Sequence, residues 1–116
     1  MSRLFVYGTL KQGYHANDKL KRHDAVFLGE AVTDVRYSLY QINWFPGMVE
    51  QESTGGVKGE LYEVTNECLD ELDMYEGAPS LFRREEITLS DGTQAIGYLY
   101  NSTPPADQLL EAGEFE

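Results

Sequence analysis

The sequence predicts an α+β fold. Short runs of β-branched and aromatic residues recur from the N-terminus to residue 100, an Asp-Gly pair joins two of them, and one well-bounded helical segment interrupts them. Arg3–Tyr7 is an apolar run ended by Gly8 and reads as a buried first strand. His15–Arg22 reads as a short helix after the first loop. Ala25–Leu28 and Ala31–Leu39 flank Gly29, so they form one long bent strand or a hairpin. Val57–Val64 reads as a strand with Val57, Gly59 and Leu61 on one face. Asn66–Glu76 is the second helix, with Asn66 as N-cap, Glu67 near its positive end, Gly77 as its stop and Pro79 barring continuation. Arg84–Leu89 and Gln94–Tyr100 form a hairpin through Ser90-Asp91-Gly92-Thr93. Asp107–Ala112 is expected as a terminal helical turn, with a frayed acidic end beyond it. So many short strands call for a strongly curved or closed sheet.

Composition narrows the function. A chain of 116 residues fits one domain, 1–116, which at this length needs no metal or disulfide staple. The single cysteine, Cys68, has no partner for an internal disulfide, and the N-terminus lacks an apolar leader or span, so a cytoplasmic protein is expected. Nine Lys and Arg against twenty Asp and Glu leave a net charge of −11. Nucleic-acid binding relies on clustered cations, so no nucleic acid is expected as a partner, and no membrane either. The acidic balance serves solubility first; an acidic interaction protein is the reading in which that charge does the work. His15 and His23 stand eight apart and Cys68 has no second thiol at ligand spacing, so no metal site is expected. Neighbouring carboxylates also oppose thiolate formation at Cys68.

Two constellations carry chemistry. In Val6-Tyr7-Gly8-Thr9-Leu10 a strand ends in a glycine that lets the backbone approach a ligand, and the following amides can converge on an oxyanion or carboxylate. A plain structural turn explains the same residues. In Leu72-Asp73-Met74-Tyr75-Glu76-Gly77, helical geometry aligns Leu69, Leu72 and Glu76, so the Glu76 carboxylate falls on the apolar face. Asp70, Glu71 and Asp73 face water in this reading. Partial burial and the negative helix end both raise the pKa of Glu76 toward the range of a general base. A frayed, solvated helix end is the competing account. Phe45-Pro46-Gly47-Met48 reads as a turn that becomes a pocket wall beside the other two segments. Tyr98 and Tyr100 share one strand face, for core packing or for lining a polar pocket.

Taken in order, Tyr7-Gly8-Thr9-Leu10, Phe45-Pro46-Gly47, Val57–Tyr62, Leu72-Asp73 with Tyr75-Glu76-Gly77, Phe82 with Arg84, and Ala95 to Asn101 resemble the γ-glutamylcyclotransferase-like family, which includes γ-glutamylamine cyclotransferases. The resemblance implies a compact mixed β-barrel with short flanking helices and a cofactor-free reaction. In it, a γ-glutamyl compound's own α-amine attacks its γ-carbonyl to give 5-oxoproline and a released amine or amino acid. By resemblance Glu76 is the catalytic acid and base. Tyr7, Gly8, Thr9 and Leu10, with Phe45, Pro46, Gly47 and Tyr98, bind the small-molecule γ-glutamyl substrate. Phe82 stands where many relatives carry Tyr, which bears on specificity, and the short chain makes glutathione a poorer candidate. A monomer or weak dimer is expected. The alternative is a non-catalytic module that keeps the fold to bind a small ligand or a protein.

Overall fold

Alternation along the first strand lays out the interior. In the computed structural model, which describes residues 1–116, β1 spans Ser2–Val6 and is buried over its last three residues. Successive side chains of a strand point to opposite faces. Leu4 and Val6 therefore enter one apolar cluster, with Leu20, Leu69 and Leu72, while Phe5 and Tyr7 enter a second, with Leu39, Met48, Ile87 and Leu99.

After β1 come a 3-10 turn (His15–Asn17), α1 (Asp18–Arg22), β2 (Val26–Val32), β3 (Tyr37–Gln41), β4 (Pro46–Glu50), β5 (Lys58–Val64), α2 (Asn66–Tyr75), β6 (Phe82–Thr88), β7 (Gln94–Tyr100) and a 3-10 turn (Ala106–Gln108). The α+β class expected from the sequence is the class observed. The seven-stranded sheet runs β2-β5-β1-β7-β4-β3, with β6 on the far side of β7. The β6–β7 hairpin pairs from Phe82↔Tyr100 to Thr88↔Gln94 around the Asp-Gly turn. The barrel implied by the resemblance is not closed. β1 and β4 meet the same edge of β7, at Leu4↔Ile96 and Met48↔Leu99, so the sheet forks there. One isolated bridge, Thr33↔Leu89, laces the end of β2 to the end of β6.

Several boundaries differ from the sequence reading. Residues 25–39 make neither one strand nor a hairpin about Gly29. Strand β2 runs through Gly29 with a register shift between Phe27 and Gly29, and β3 begins afresh at Tyr37. Pro46–Glu50 is a strand, because Tyr37–Gln41 pairs antiparallel along its length. The N-cap of α2 is Thr65, whose hydroxyl accepts from the Cys68 N–H at 3.1 Å, rather than Asn66. The expected helical turn over Asp107–Ala112 shrinks to the 3-10 turn, and the tail beyond is pinned rather than frayed. Leu110 N–H donates to Leu39 O, Lys58 N–H donates to Gly113 O, and the Phe115 carbonyl accepts from Lys11 Nζ at 2.8 Å and from the Tyr14 hydroxyl at 3.2 Å. No helix is long and apolar enough to cross a membrane.

Candidate active site

The end of β1, the end of α2 and the start of β4 converge on a cavity of about 180 Å³. Its lining brings together Tyr7, Gly8, Thr9 and Leu10, then Phe45 and Pro46, then Glu76 and Tyr98. Residues from four separate stretches of the chain thus share one wall. Gly47 does not join them. It is buried behind Pro46, where a Cβ would press on Ile42 and Tyr100 at about 3 Å. Tyr100 also stays out of the cavity and packs against Phe82, ring centroids 5.5 Å apart.

The loop after β1 leaves backbone donors exposed beside the cavity. Lys11 N–H closes a turn on Gly8 O at 3.0 Å, and Asn17 Nδ2 holds the Leu10 carbonyl at 2.7 Å. The N–H groups of Gly8, Thr9 and Leu10 donate to no protein acceptor, which leaves three successive donors beside the cavity. Gly8 is required for this arrangement, because a Cβ there would lie 2.7 Å from Pro46 Cγ.

Glu76 caps the C-terminus of α2, its N–H still bonded to Leu72 O at 2.8 Å. Leu72 and Leu69 are buried one and two turns earlier, so the helical spacing carries the carboxylate inward as the sequence reading expected. Gly77 follows in a left-handed conformation (φ 66°) and turns the chain away. No hydrogen bond or ion pair reaches the Glu76 carboxylate, and burial alone raises its pKa from 4.5 to about 7. It is a half-buried, unpaired carboxyl group, partly ionised at neutral pH.

Asp73, one turn earlier, has the opposite fate and does not face free water as expected. It accepts the Tyr98 hydroxyl proton at 2.6 Å and pairs with Arg84 at 3.2 Å. Glu71, also expected to face water, is bound by Lys19, Arg22 and His23. Among the half-buried acids of α2 the environment thus leaves Glu76 available to a ligand. The tyrosines around it are committed as well. Tyr7 donates to Tyr98 O at 2.7 Å and accepts from Met48 N–H at 3.2 Å, while the Tyr75 hydroxyl shares a 2.7 Å bond with Thr9 Oγ1. Burial first, and the Glu76 charge after it, push the Tyr7 and Tyr75 phenols upward, as they do Tyr98 with the Asp73 bond between. These phenols stay neutral and fix the shape of the site.

Sequence reasoning did not assign Phe5, Val6, Trp44, Tyr75, Leu81 or Phe82 to the site, and all six line the cavity. Tyr75 carried a signal, being adjacent to Glu76, but its bond to Thr9 spans sixty-six positions and has no local trace.

This fold and cavity define a small α+β protein in which a lone carboxylate and a loop of free backbone donors line one cavity. The family described as gamma-glutamyl cyclotransferase, AIG2-like, matches residues 4–116, and the chain belongs to that family. A relative from Methanocaldococcus jannaschii is 30% identical over 118 residues, spanning all of this chain and 97% of its own length. One from Vibrio cholerae is 36% identical over 112 residues, 97% of this chain and 93% of the relative. An AIG2-like protein from Mus musculus superposes with a TM-score of 0.84 at 25% identity, covering 100% of this chain and 88% of the mouse chain.

Proposed function

We propose that this protein is a γ-glutamylcyclotransferase that cyclises the γ-glutamyl group of a γ-glutamyl amine or γ-glutamyl amino acid to 5-oxoproline. The observation that carries the reading is the unpaired Glu76 carboxylate, lining the same cavity as the unclaimed amides of Gly8, Thr9 and Leu10. Glu76 takes a proton from the substrate's α-ammonium group, and the freed amine attacks the γ-carbonyl carbon. The amides of the β1 loop hold the glutamyl oxygens and the developing oxyanion, which elsewhere contributes roughly 3–4 kcal/mol per donor. Glu76 returns its proton to the amide nitrogen as the C–N bond breaks. The new ring nitrogen sheds its second proton to water, and the released amine takes one up.

A carboxylate of pKa about 7 suits both halves of this cycle, because it accepts and gives back a proton at similar cost. The nucleophile is tethered to its target, so the protein's main task is to fold the glutamyl chain into a ring-closing conformation. At about 180 Å³ the cavity is smaller than the roughly 300–1,000 Å³ typical of sites for drug-sized ligands, in keeping with a glutamyl group and a small leaving amine.

The test is incubation with γ-glutamyl amines, γ-glutamyl dipeptides and glutathione, with 5-oxoproline followed by mass spectrometry. Release that depends on Glu76 is expected from one of the first two classes. Release from none would favour a binding module.

A further inference from the structure

The cavity has two unlike parts. Tyr7, Thr9 and Tyr98 are buried and surround its depth, whereas Trp44 and Leu81 line it while 59% and 44% exposed, which places them at its opening. Trp44 is held there by its neighbours. It meets Phe45 edge-on at 5.2 Å and 79°, and His15 at 5.5 Å; Phe45 in turn lies 6.0 Å from Phe82. A large aromatic ring exposed to water at a cavity mouth, yet braced on two sides, is a preformed platform rather than a stray surface residue.

The charge inventory is equally informative. Of the fourteen lining residues Glu76 alone is ionised near neutrality, and there is no Lys, Arg or His. Lys19 lies against Tyr75 at 4.9 Å from its ring centroid, but is drawn toward Glu71 at 3.8 Å. A leaving group seated on Trp44 therefore meets apolar walls, no lysine or arginine, and a single polar ring, that of His15, which already packs on the indole.

We propose that Trp44, braced by Phe45 and flanked by Leu81 and Phe82, forms a leaving-group subsite that selects γ-glutamyl derivatives of arylalkyl amines. This rests on the cyclotransferase reading above. With the glutamyl chain held by the β1 loop and its γ-carbonyl within reach of Glu76, the departing amine points to the opening, where an aromatic substituent stacks on the indole. A leaving amino acid would bring a carboxylate to the same apolar wall, whose lining holds no lysine or arginine to receive it. A short alkyl amine would leave the platform uncovered.

The experiment compares γ-glutamyl phenethylamide, γ-glutamyl ethylamide and γ-glutamylalanine as substrates of the natural chain, Trp44→Phe and Trp44→Ala. The natural chain should favour the phenethylamide over the ethylamide in kcat/KM by about tenfold, the scale of one aromatic contact with its buried area. Trp44→Phe should keep most of that preference. Trp44→Ala should bring the ratio toward one, with KM carrying the change. Because the chain has one tryptophan, its fluorescence reads the subsite directly. In the Glu76→Gln protein, added phenethylamide should shift the emission saturably and ethylamide should not. Turnover with no aromatic preference, or a preference indifferent to Trp44→Ala, overturns the subsite while leaving the reaction standing. Saturable fluorescence change without 5-oxoproline from any substrate in the natural chain supports the subsite and sinks the reaction.

Discussion

Replacing Glu76 by Gln should abolish turnover and, at the same time, stabilise the fold more as the pH is raised. The carboxyl group titrates near 4.5 when exposed and near 7 in the folded chain. A carboxylate raised on folding means that the native state favours the neutral form. Stability is thus lost as pH climbs from the unfolded value toward 7, and the penalty levels off above it. At about 1.4 kcal/mol for each pH unit, the rise from 4.5 to about 7 amounts to about 3 kcal/mol. Glutamine carries no such penalty. The advantage of Glu76→Gln over the natural chain should therefore grow from below about 1 kcal/mol near pH 5 to about 3 kcal/mol near pH 8. Urea unfolding of both proteins across that range measures it. Working at roughly 0.15 M salt, where the Debye length is about 8 Å, keeps the loss of one acid among twenty from acting through general repulsion. The same titration predicts that kcat/KM of the natural chain falls about tenfold per pH unit below pH 7, since the base must be ionised. A stability difference that stays flat with pH would show that Glu76 is solvated in the folded protein, and the case for it as a tuned base would fall.

Gly8→Ala places a methyl group against Pro46 and must push the donor loop away from β4; a cost of roughly 1–3 kcal/mol in urea unfolding is expected, with a larger proportional loss in 5-oxoproline release. Tyr75→Phe removes the hydroxyl that holds Thr9, so kcat/KM should fall while the unfolding midpoint moves by about 1 kcal/mol or less. Thr65→Ala deletes the α2 cap and should cost about 1 kcal/mol, with activity unchanged once the protein is folded, read by circular dichroism and product assay.

The acids of α2 show how one helix assigns different roles to one chemical type. Asp73 and Glu76 are neighbours on adjacent turns. Asp73 is consumed by Tyr98 and Arg84, and through Tyr98 it steadies the cavity wall on which Tyr7 is also anchored. Glu76 is left without a donor, in a place dry enough to hold its proton near neutrality. A charge count could not separate them; only their partners do.

What was legible in the chain was local. The run Leu4–Val6 ended by Gly8, the Asp-Gly hairpin and the inward register of Leu69, Leu72 and Glu76 all follow from side-chain periods and backbone preferences over a few residues, and each stands in the structure. The ordered motifs gave the family. What the periods could not carry was anything decided across long sequence separations. Phe45-Pro46-Gly47-Met48 looks like a turn because it begins with Phe-Pro-Gly, and becomes the start of β4 because β3 and Leu99 of β7 take up its backbone. The sheet forks instead of closing, with β1 and β4 sharing one edge of β7 at Ile96 and Leu99, an arrangement invisible to any single segment. Asp73 turned inward because Tyr98 and Arg84 were waiting on other strands, and the acidic tail was pinned because Lys11 and Tyr14 reach the Phe115 carbonyl. Periodicity settles which face of an element is apolar; which partner covers it, and so which polar groups are left free to act, is settled only when the whole chain closes on itself.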